Sequence, residues 1–369
     1  MGNKLSFGGS KKDTSNLESG GERDTIQERT QLDLEEISEP YFPGARRSVT
    51  VLLAYKNEAT YMIAGAGGRT ISHFKIFKDS KEVHSDELPH QSSSISGLVY
   101  SDHLDCFLLL ISDKIYQKGI NSNPIQLFMD LSRFGKEFSS LVYSPIHRKL
   151  ITPNPLLVID MGAKRVDLNL GEPPDAFKLM DWKLFGKQQK QAVSLFMGGY
   201  LGLSTFNFEM RRQVAYYELQ IEMIEEREEG VYSLAVGDDN SHVLVEILGH
   251  GRYSSRMMIF RVENCQIVKK AVFDSYAQDT IAKKIMSCCG CFGGHIMWIG
   301  FEFDSAAKGR ALVYDYDSET GVLRELEGRR VDHDIPFLRS AQRVGESFFY
   351  ASNEGKIWRL GITSEAIEK

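Results

Sequence analysis

The first chemistry in this chain is offered by its opening residues, Met1-Gly2-Asn3-Lys4-Leu5-Ser6. They fit the acceptor pattern for N-myristoylation: a glycine exposed once the initiator Met is removed, with a hydroxyl residue four positions beyond it. The acyl chain is attached to the α-amine of Gly2, and any larger side chain would block the approach. Lys4, Lys11 and Lys12 all precede the first acid, Asp13. Three positive side chains beside Gly2 supply an electrostatic partner for a lipid anchor at an anionic leaflet. The plainer alternative is a polar tail that happens to begin Met-Gly.

A second cluster is Ser287-Cys288-Cys289-Gly290-Cys291, followed by His295. Cys288 and Cys291 have Cys-x-x-Cys spacing, which can hold a metal or cycle as a disulfide. A structural zinc site wants four ligands, and no second Cys-x-x-Cys or His pair accompanies this one. Thioredoxin-like use needs a βαβ setting that the region does not offer. The segment therefore reads as a turn between strands with small, partly buried thiols. Asp238-Asp239-Asn240 reads as a β-turn. Asp332-His333-Asp334 reads as an inter-strand loop rather than a cation site, and Gly65-Ala66-Gly67-Gly68 as a simple turn. Glu225-Glu226-Arg227-Glu228-Glu229 reads as a solvated loop or helix face. No hydrolytic constellation, metal site or cofactor site emerges, so the expectation is a non-enzymatic protein.

Composition narrows the class. Apolar residues at 42% and charged residues at 25% of 369 are ordinary for a soluble globular protein. A formal charge of -6 argues against a general nucleic-acid binder, which needs a basic surface. No stretch approaches the ~20 apolar residues of a membrane span, and no hydrophobic signal segment follows the start. Five unevenly spaced Cys without a secretory signal favour a reducing compartment. The expected location is the cytoplasm, peripheral on the cytosolic face of a membrane, as a monomer or part of a hetero-complex.

The elements that must position these residues divide the chain in two. Residues 13–39 hold nine acids against Arg23 and Arg29, a net charge of −7. A segment so poor in large apolar side chains cannot offset its ordering entropy, so residues 1–45 read as a mostly disordered tether. From Val49 onward short apolar runs alternate with turn residues and group into triplets. The first comprises Val49–Tyr55, Tyr61–Ala66 and Ile71–Phe77. Others start at 95, 138, 192, 231, 280 and 335, a mean step of about 48 residues. That is the period of four-stranded propeller blades, whose closed ring leaves only short, protected edges. Residues 46–369 are thus expected to form an all-β, seven-bladed β-propeller; a pair of large β-sandwiches is the competing reading.

Two segments resemble the WD-repeat propeller family. Ala351-Ser352-Asn353-Glu354-Gly355-Lys356-Ile357-Trp358-Arg359-Leu360 is similar to that family's repeat ending, with Arg359 where the second signature residue, Asp, would stand. Ala311–Asp317 with Ser318-Glu319-Thr320-Gly321 resembles the strand and turn that open the next blade. The resemblance implies an interaction platform for other proteins. Met210-Arg211-Arg212-Gln213 bears comparison with the Phe/Leu-Arg-Arg-Gly motif of the phosphoinositide-binding propellers of autophagy, differing at Met210 and Gln213. It makes Arg211 and Arg212 candidate phosphoinositide contacts, the alternative being an exposed basic turn. The reading reached is a protein-interaction scaffold with a reversible lipid tether. A phosphoinositide-binding propeller and a central-channel enzyme are its alternatives.

Overall fold

Runs rich in β-branched and aromatic residues, broken by short turns, pair with their nearest neighbours along the chain. The computed structural model describes residues 28–42, 50–67, 70–88, 95–121, 124–135, 138, 140–171, 177–186, 188–198, 200–219, 231–236, 241–248, 255–263, 266–275, 284–292, 295–303, 309–317, 322–333, 338–345, 347–352 and 354–366. Among the described residues, strand β1 (Glu28–Glu36) comes first. The next sheet is β2 (Thr50–Asn57), β3 (Thr60–Gly67), β4 (Thr70–Lys78) and β5 (Lys81–Glu87). It is followed by β6 (Ile95–Ser101), β7 (Cys106–Ile111), β8 (Lys114–Gly119) and β9 (Gln126–Asp130). The third is β10 (Val142–Ser144), β11 (Lys149–Pro153), β12 (Leu156–Asp160) and β13 (Arg165–Asn169). The fourth is β14 (Phe177–Phe185), β15 (Gln191–Gly198), β16 (Tyr200–Asn207) and β17 (Arg212–Glu218). The fifth is β18 (Val231–Val236), β19 (His242–Leu248), β20 (Ser255–Glu263) and β21 (Gln266–Ser275). The sixth is β22 (Lys284–Phe292), β23 (His295–Phe303), β24 (Gly309–Asp317) and β25 (Val322–His333). The last contains β26 (Leu338–Val344), β27 (Ser347–Ser352) and β28 (Ile357–Ala366), with β1 as its fourth strand. All these pairings are antiparallel.

The core lies between sheets, and the period of two along each strand explains why. In β7 every residue is buried. Phe107, Leu109 and Ile111 pack with Ala54, Met62 and Phe74 of the first sheet. Leu108 and Leu110 turn the other way, onto Leu150, Leu157 and Ile159 of the third. A strand covered on both faces is apolar at every position. Each such Leu or Phe contributes about 1.5–3 kcal/mol by leaving water. Further shared clusters join the third sheet to the fourth (Ile151 and Val158 with Trp182 and Ala192) and the fourth to the fifth (Val193 and Leu203 with Val243 and Phe260). Val51, Tyr55 and Ile63 pack with Phe349, Ala351 and Ile357, joining the first sheet to the last. The first strands touch in succession: β2 with β6, β6 with β10, β10 with β14, β14 with β18, β18 with β22, β22 with β26 and β26 with β2.

Fourth strands are different. β5, Lys-Glu-Val-His-Ser-Asp-Glu, is exposed at all but one position, which is why no apolar run marks it. In six sheets the pairing of third and fourth strands carries a register shift, a bulge that adds twist at the outer edge. The β1–β28 ladder runs without a shift from Glu28↔Ala366 to Glu36↔Trp358.

That ladder changes the reading of residues 1–45. Glu28–Glu36 is a strand, and Ile37–Phe42 is also ordered: Tyr41 stacks on Phe77 and Phe42 is buried. Two of the acids that made the segment look unfoldable are matched across the ladder. Arg359 contacts Glu35 at 2.8 Å and Lys356 contacts Glu36 at 2.6 Å. Gly65, expected in a turn, lies within β3, where a Cβ would come within 2.9 Å of the Phe42 ring.

Candidate functional site

Three tyrosines sit near the ends of successive first strands: Tyr55 in β2, Tyr100 in β6 and Tyr143 in β10. With Ser96, Leu141 and Gln342 they line a cavity of about 420 Å³. Because the first strands of the first, second, third and last sheets all contribute, the cavity lies where those sheets converge. Tyr55 is buried against Tyr61 and Phe349, at ring separations of 4.9 and 4.4 Å, and its amide donates to Gln342 Oε1.

The hairpin that follows β6, Asp102–Asp105, is tied to both neighbouring sheets. Lys56 Nζ donates to Asp105 Oδ1 at 2.6 Å, and the Tyr100 hydroxyl donates to the same oxygen at 2.5 Å. On the other side the Tyr143 hydroxyl donates to Asp102. Ser144 Oγ donates to Gln189 Oε1 at 2.8 Å, and His147 Nε2 meets the Gln188 carbonyl at 2.7 Å. These ties put the first-to-second-strand hairpins of neighbouring sheets on one face.

The electrostatics of this cavity rim suit binding rather than acid–base work. Burial, then the bond to Asp105, pushes the Tyr100 phenol up to about 12. Burial likewise raises Tyr55 and Tyr143, while the bond from Lys56 holds Asp105 below the usual carboxylate range. Tyr55, Tyr100, Tyr143 and Asp105 are therefore held further from neutrality, whereas general acid–base catalysis works best near it. Sequence reasoning missed these tyrosines. A signal was present, because a Tyr ends the first run of each of the first three triplets.

Arg211 and Arg212 lie in the hairpin joining β16 to β17, on the same face. Both are exposed, beside Met210, which is 54% exposed. Asn207 Oδ1 shapes the turn by accepting from the amides of Glu209 and Met210, and Arg211 adopts a φ of 53°. Gly2, Lys4, Lys11 and Lys12 lie outside the described residues, as do Asp238-Asp239-Asn240 and Glu225–Glu229.

The cysteine cluster is not a turn. Cys288, Cys289 and Cys291 stand in β22, opposite Ile299, Trp298 and Ile296, and His295 opens β23. Positions 288 and 291 are three apart in a continuous strand and so fall on opposite faces of the sheet. Local clusters of alternating residues cannot converge that way. Asp332 and His333 are likewise strand, ending β25 opposite Arg310 and Gly309. Cys106 is buried as a free thiol, and burial pushes it up to about 11, far from the thiolate a nucleophile needs.

The repeat-ending segment folds as a tight connection between β27 and β28. Ser352 is fully buried and its Oγ accepts from the amides of Glu354 and Lys356. Gly355 supplies a φ of +73°, and Trp358 is buried beneath the Lys356 ammonium, which lies 5.4 Å from the ring centroid.

No family model and no curated protein matches this chain. Solved structures do. The structure of U3-55K is 10% identical over 89% of this chain and 98% of its own length, with a TM-score of 0.60. The β-propeller domain of Cps50 (Swd1) from Myceliophteria thermophila is also 10% identical, over 88% and 98%, with a TM-score of 0.54. Both are WD40 propellers. At this identity the likeness establishes the fold alone: the chain is a β-propeller.

Proposed function

We propose that this chain is a closed seven-bladed propeller that acts as a non-enzymatic scaffold for other proteins. Residues preceding β1 form its tether, and N-myristoylation of Gly2 holds it reversibly on the cytosolic face of a membrane. The ring reading is supported by the succession of first-strand contacts from β2 to β26 and back to β2, and by β1 completing the last sheet. The observation that carries the scaffold reading is the stitched hairpin face, where phenols kept protonated and paired acids offer hydrogen bonds without an activated nucleophile. That arrangement also speaks for a binding platform over an enzyme in the channel. Support for the tether is the acceptor pattern at Met1–Ser6 and the lysines beside it.

The test is a pulldown from cytosolic extract with intact and Gly2→Ala protein, read by mass spectrometry for partners and for the N-terminal acyl group. A shared set of stoichiometric partners on both baits, with acylation on the intact one alone, is the expected result. An unacylated intact protein ends the tether reading. Absence of any stoichiometric partner ends the scaffold reading.

A further inference from the structure

Charge on the hairpin face is divided unevenly. Around the third and fourth sheets the described residues include seven basic side chains, Arg148, Lys149, Lys164, Arg165, Lys190, Arg211 and Arg212, against three acids, Asp160, Asp167 and Glu209, a net +4. Two of the acids are paired within the sector: Lys190 meets Glu209 at 2.8 Å, and Lys149 and Arg165 meet Asp167 at 2.7 and 3.1 Å. The sector around the first and second sheets is mixed, with Lys56, Lys78 and Lys81 against Glu58, Asp79, Asp102 and Asp105. The basic sector also carries two large apolar side chains at hairpin tips, Ile146 and Met210, each 54% exposed. An apolar tip flanked by cations is costly in water and favourable where lipid acyl chains begin beneath anionic headgroups.

We infer that this sector, with Ile146 and Met210 as its apolar tips and Arg211 and Arg212 beside Met210, docks directly on an anionic lipid bilayer. The inference takes its occupant from the membrane reading above but needs no acyl chain. Charge complementarity argues for it, and so does chain geometry. β1 starts at Glu28 opposite Ala366, past the Ser347↔Gly361 pair and therefore at the end of the last sheet that bears its first hairpin. The tail thus leaves from the face that carries the basic sector, on the far side of the ring. Engaging both points would lay the ring flat on the leaflet and leave the opposite face to protein partners.

The experiment uses full-length protein made without an N-myristoyltransferase, so that only the body can bind. Flotation is measured with vesicles of pure phosphatidylcholine and with vesicles containing phosphatidylserine, at low and high salt. Binding to the anionic vesicles alone, weakened by salt, is expected. Arg211→Ala with Arg212→Ala should lower the partition about thirtyfold, since each basic residue near an anionic leaflet is worth about fivefold. Ile146→Asp or Met210→Asp should each lower it about tenfold, whereas Lys78→Ala with Lys81→Ala should leave it unchanged. Failure of the unmodified protein to float, or equal loss in the Lys78 and Lys81 variant, overturns the inference. So does retention on a polyglutamate resin without vesicle binding, which would assign the sector to an acidic protein. The tether reading is judged separately, by flotation of acylated protein on phosphatidylcholine, so one can fail without the other.

Discussion

At Gly97 a Cβ would stand 2.4 Å from Leu141 Cβ and 2.7 Å from its backbone nitrogen. Backbone cannot step aside, so Gly97→Ala should cost about 1–3 kcal/mol in urea unfolding. Gly202 offers a control. Its nearest obstacle is the ring of Tyr216, itself 50% exposed and free to swing outward, so Gly202→Ala should cost less than about 1 kcal/mol. Equal effects would show that crowding is not what distinguishes the two sites. Ser352 is a further case: Ser352→Ala leaves two amides without their acceptor in a buried turn and should cost about 1–3 kcal/mol. Tyr100 gives the pH dependence its sign. Its folded-state phenol is raised to about 12, so its contribution is whole below pH 10, where folded and unfolded phenols are both neutral. Above pH 10 the unfolded phenol ionises first, and stability falls until pH 12 is reached. Tyr100→Phe should therefore lose less stability than wild type between pH 9 and pH 11 in paired urea titrations; parallel curves would show that the phenol is not shielded.

Among elements, β1 has the most to tell. Removing residues 1–27 leaves its whole ladder with β28 intact and should not move the urea midpoint. Removing residues 1–36 strips the last sheet of its fourth strand and should lower the midpoint clearly, because it exposes the paired edge of β28. If the two truncations behave alike, β1 adds nothing to the body. The polar fourth strands of the other sheets explain why only three runs per blade stand out in the sequence. β5 and β13 carry no apolar run because none of their positions is fully buried, whereas β7, β11 and β12 are covered on both faces. The fourth triplet was out of phase for the opposite reason: β14, Phe-Lys-Leu-Met-Asp-Trp-Lys-Leu-Phe, mixes charges into a first strand and does not read as an apolar run.

For the molecule as a whole, the proposed tether and the inferred basic sector make two separate weak membrane contacts, and each has its own test. A single myristoyl chain gives an association constant of only ~10⁴ M⁻¹, and Lys4, Lys11 and Lys12 add about 1 kcal/mol each at an anionic leaflet. Cell fractionation should therefore find wild type in both membrane and cytosol. Gly2→Ala should move most of the protein to the cytosol, leaving only a salt-sensitive fraction held by the basic sector, and Ser10→Asp, which sets a negative charge beside Lys11 and Lys12, should shift the protein partway. An unchanged membrane fraction for Gly2→Ala would leave the basic sector of the body as the whole anchor.

What the sequence determined by itself is the β architecture and its rhythm, because burial on both faces writes itself into uninterrupted apolar runs and turns write themselves as breaks. The Ser352–Trp358 turn was legible for the same reason: its chemistry is local, made by residues within a few positions of one another. Tertiary structure alone decided the rest. It decided between a closing strand from residues 30–48 and bare packing of the first and last blades, placing Glu28–Glu36 beside Ile357–Ala366 in a register that no local pattern encodes and that Arg359 and Lys356 make electrostatically tolerable. It turned the Cys288–Cys291 cluster into strand, separating residues that spacing had grouped. It also gathered Ile146, Lys164 and Met210 onto one face from separate hairpins, since proximity there is set by how sheets pack and not by distance along the chain.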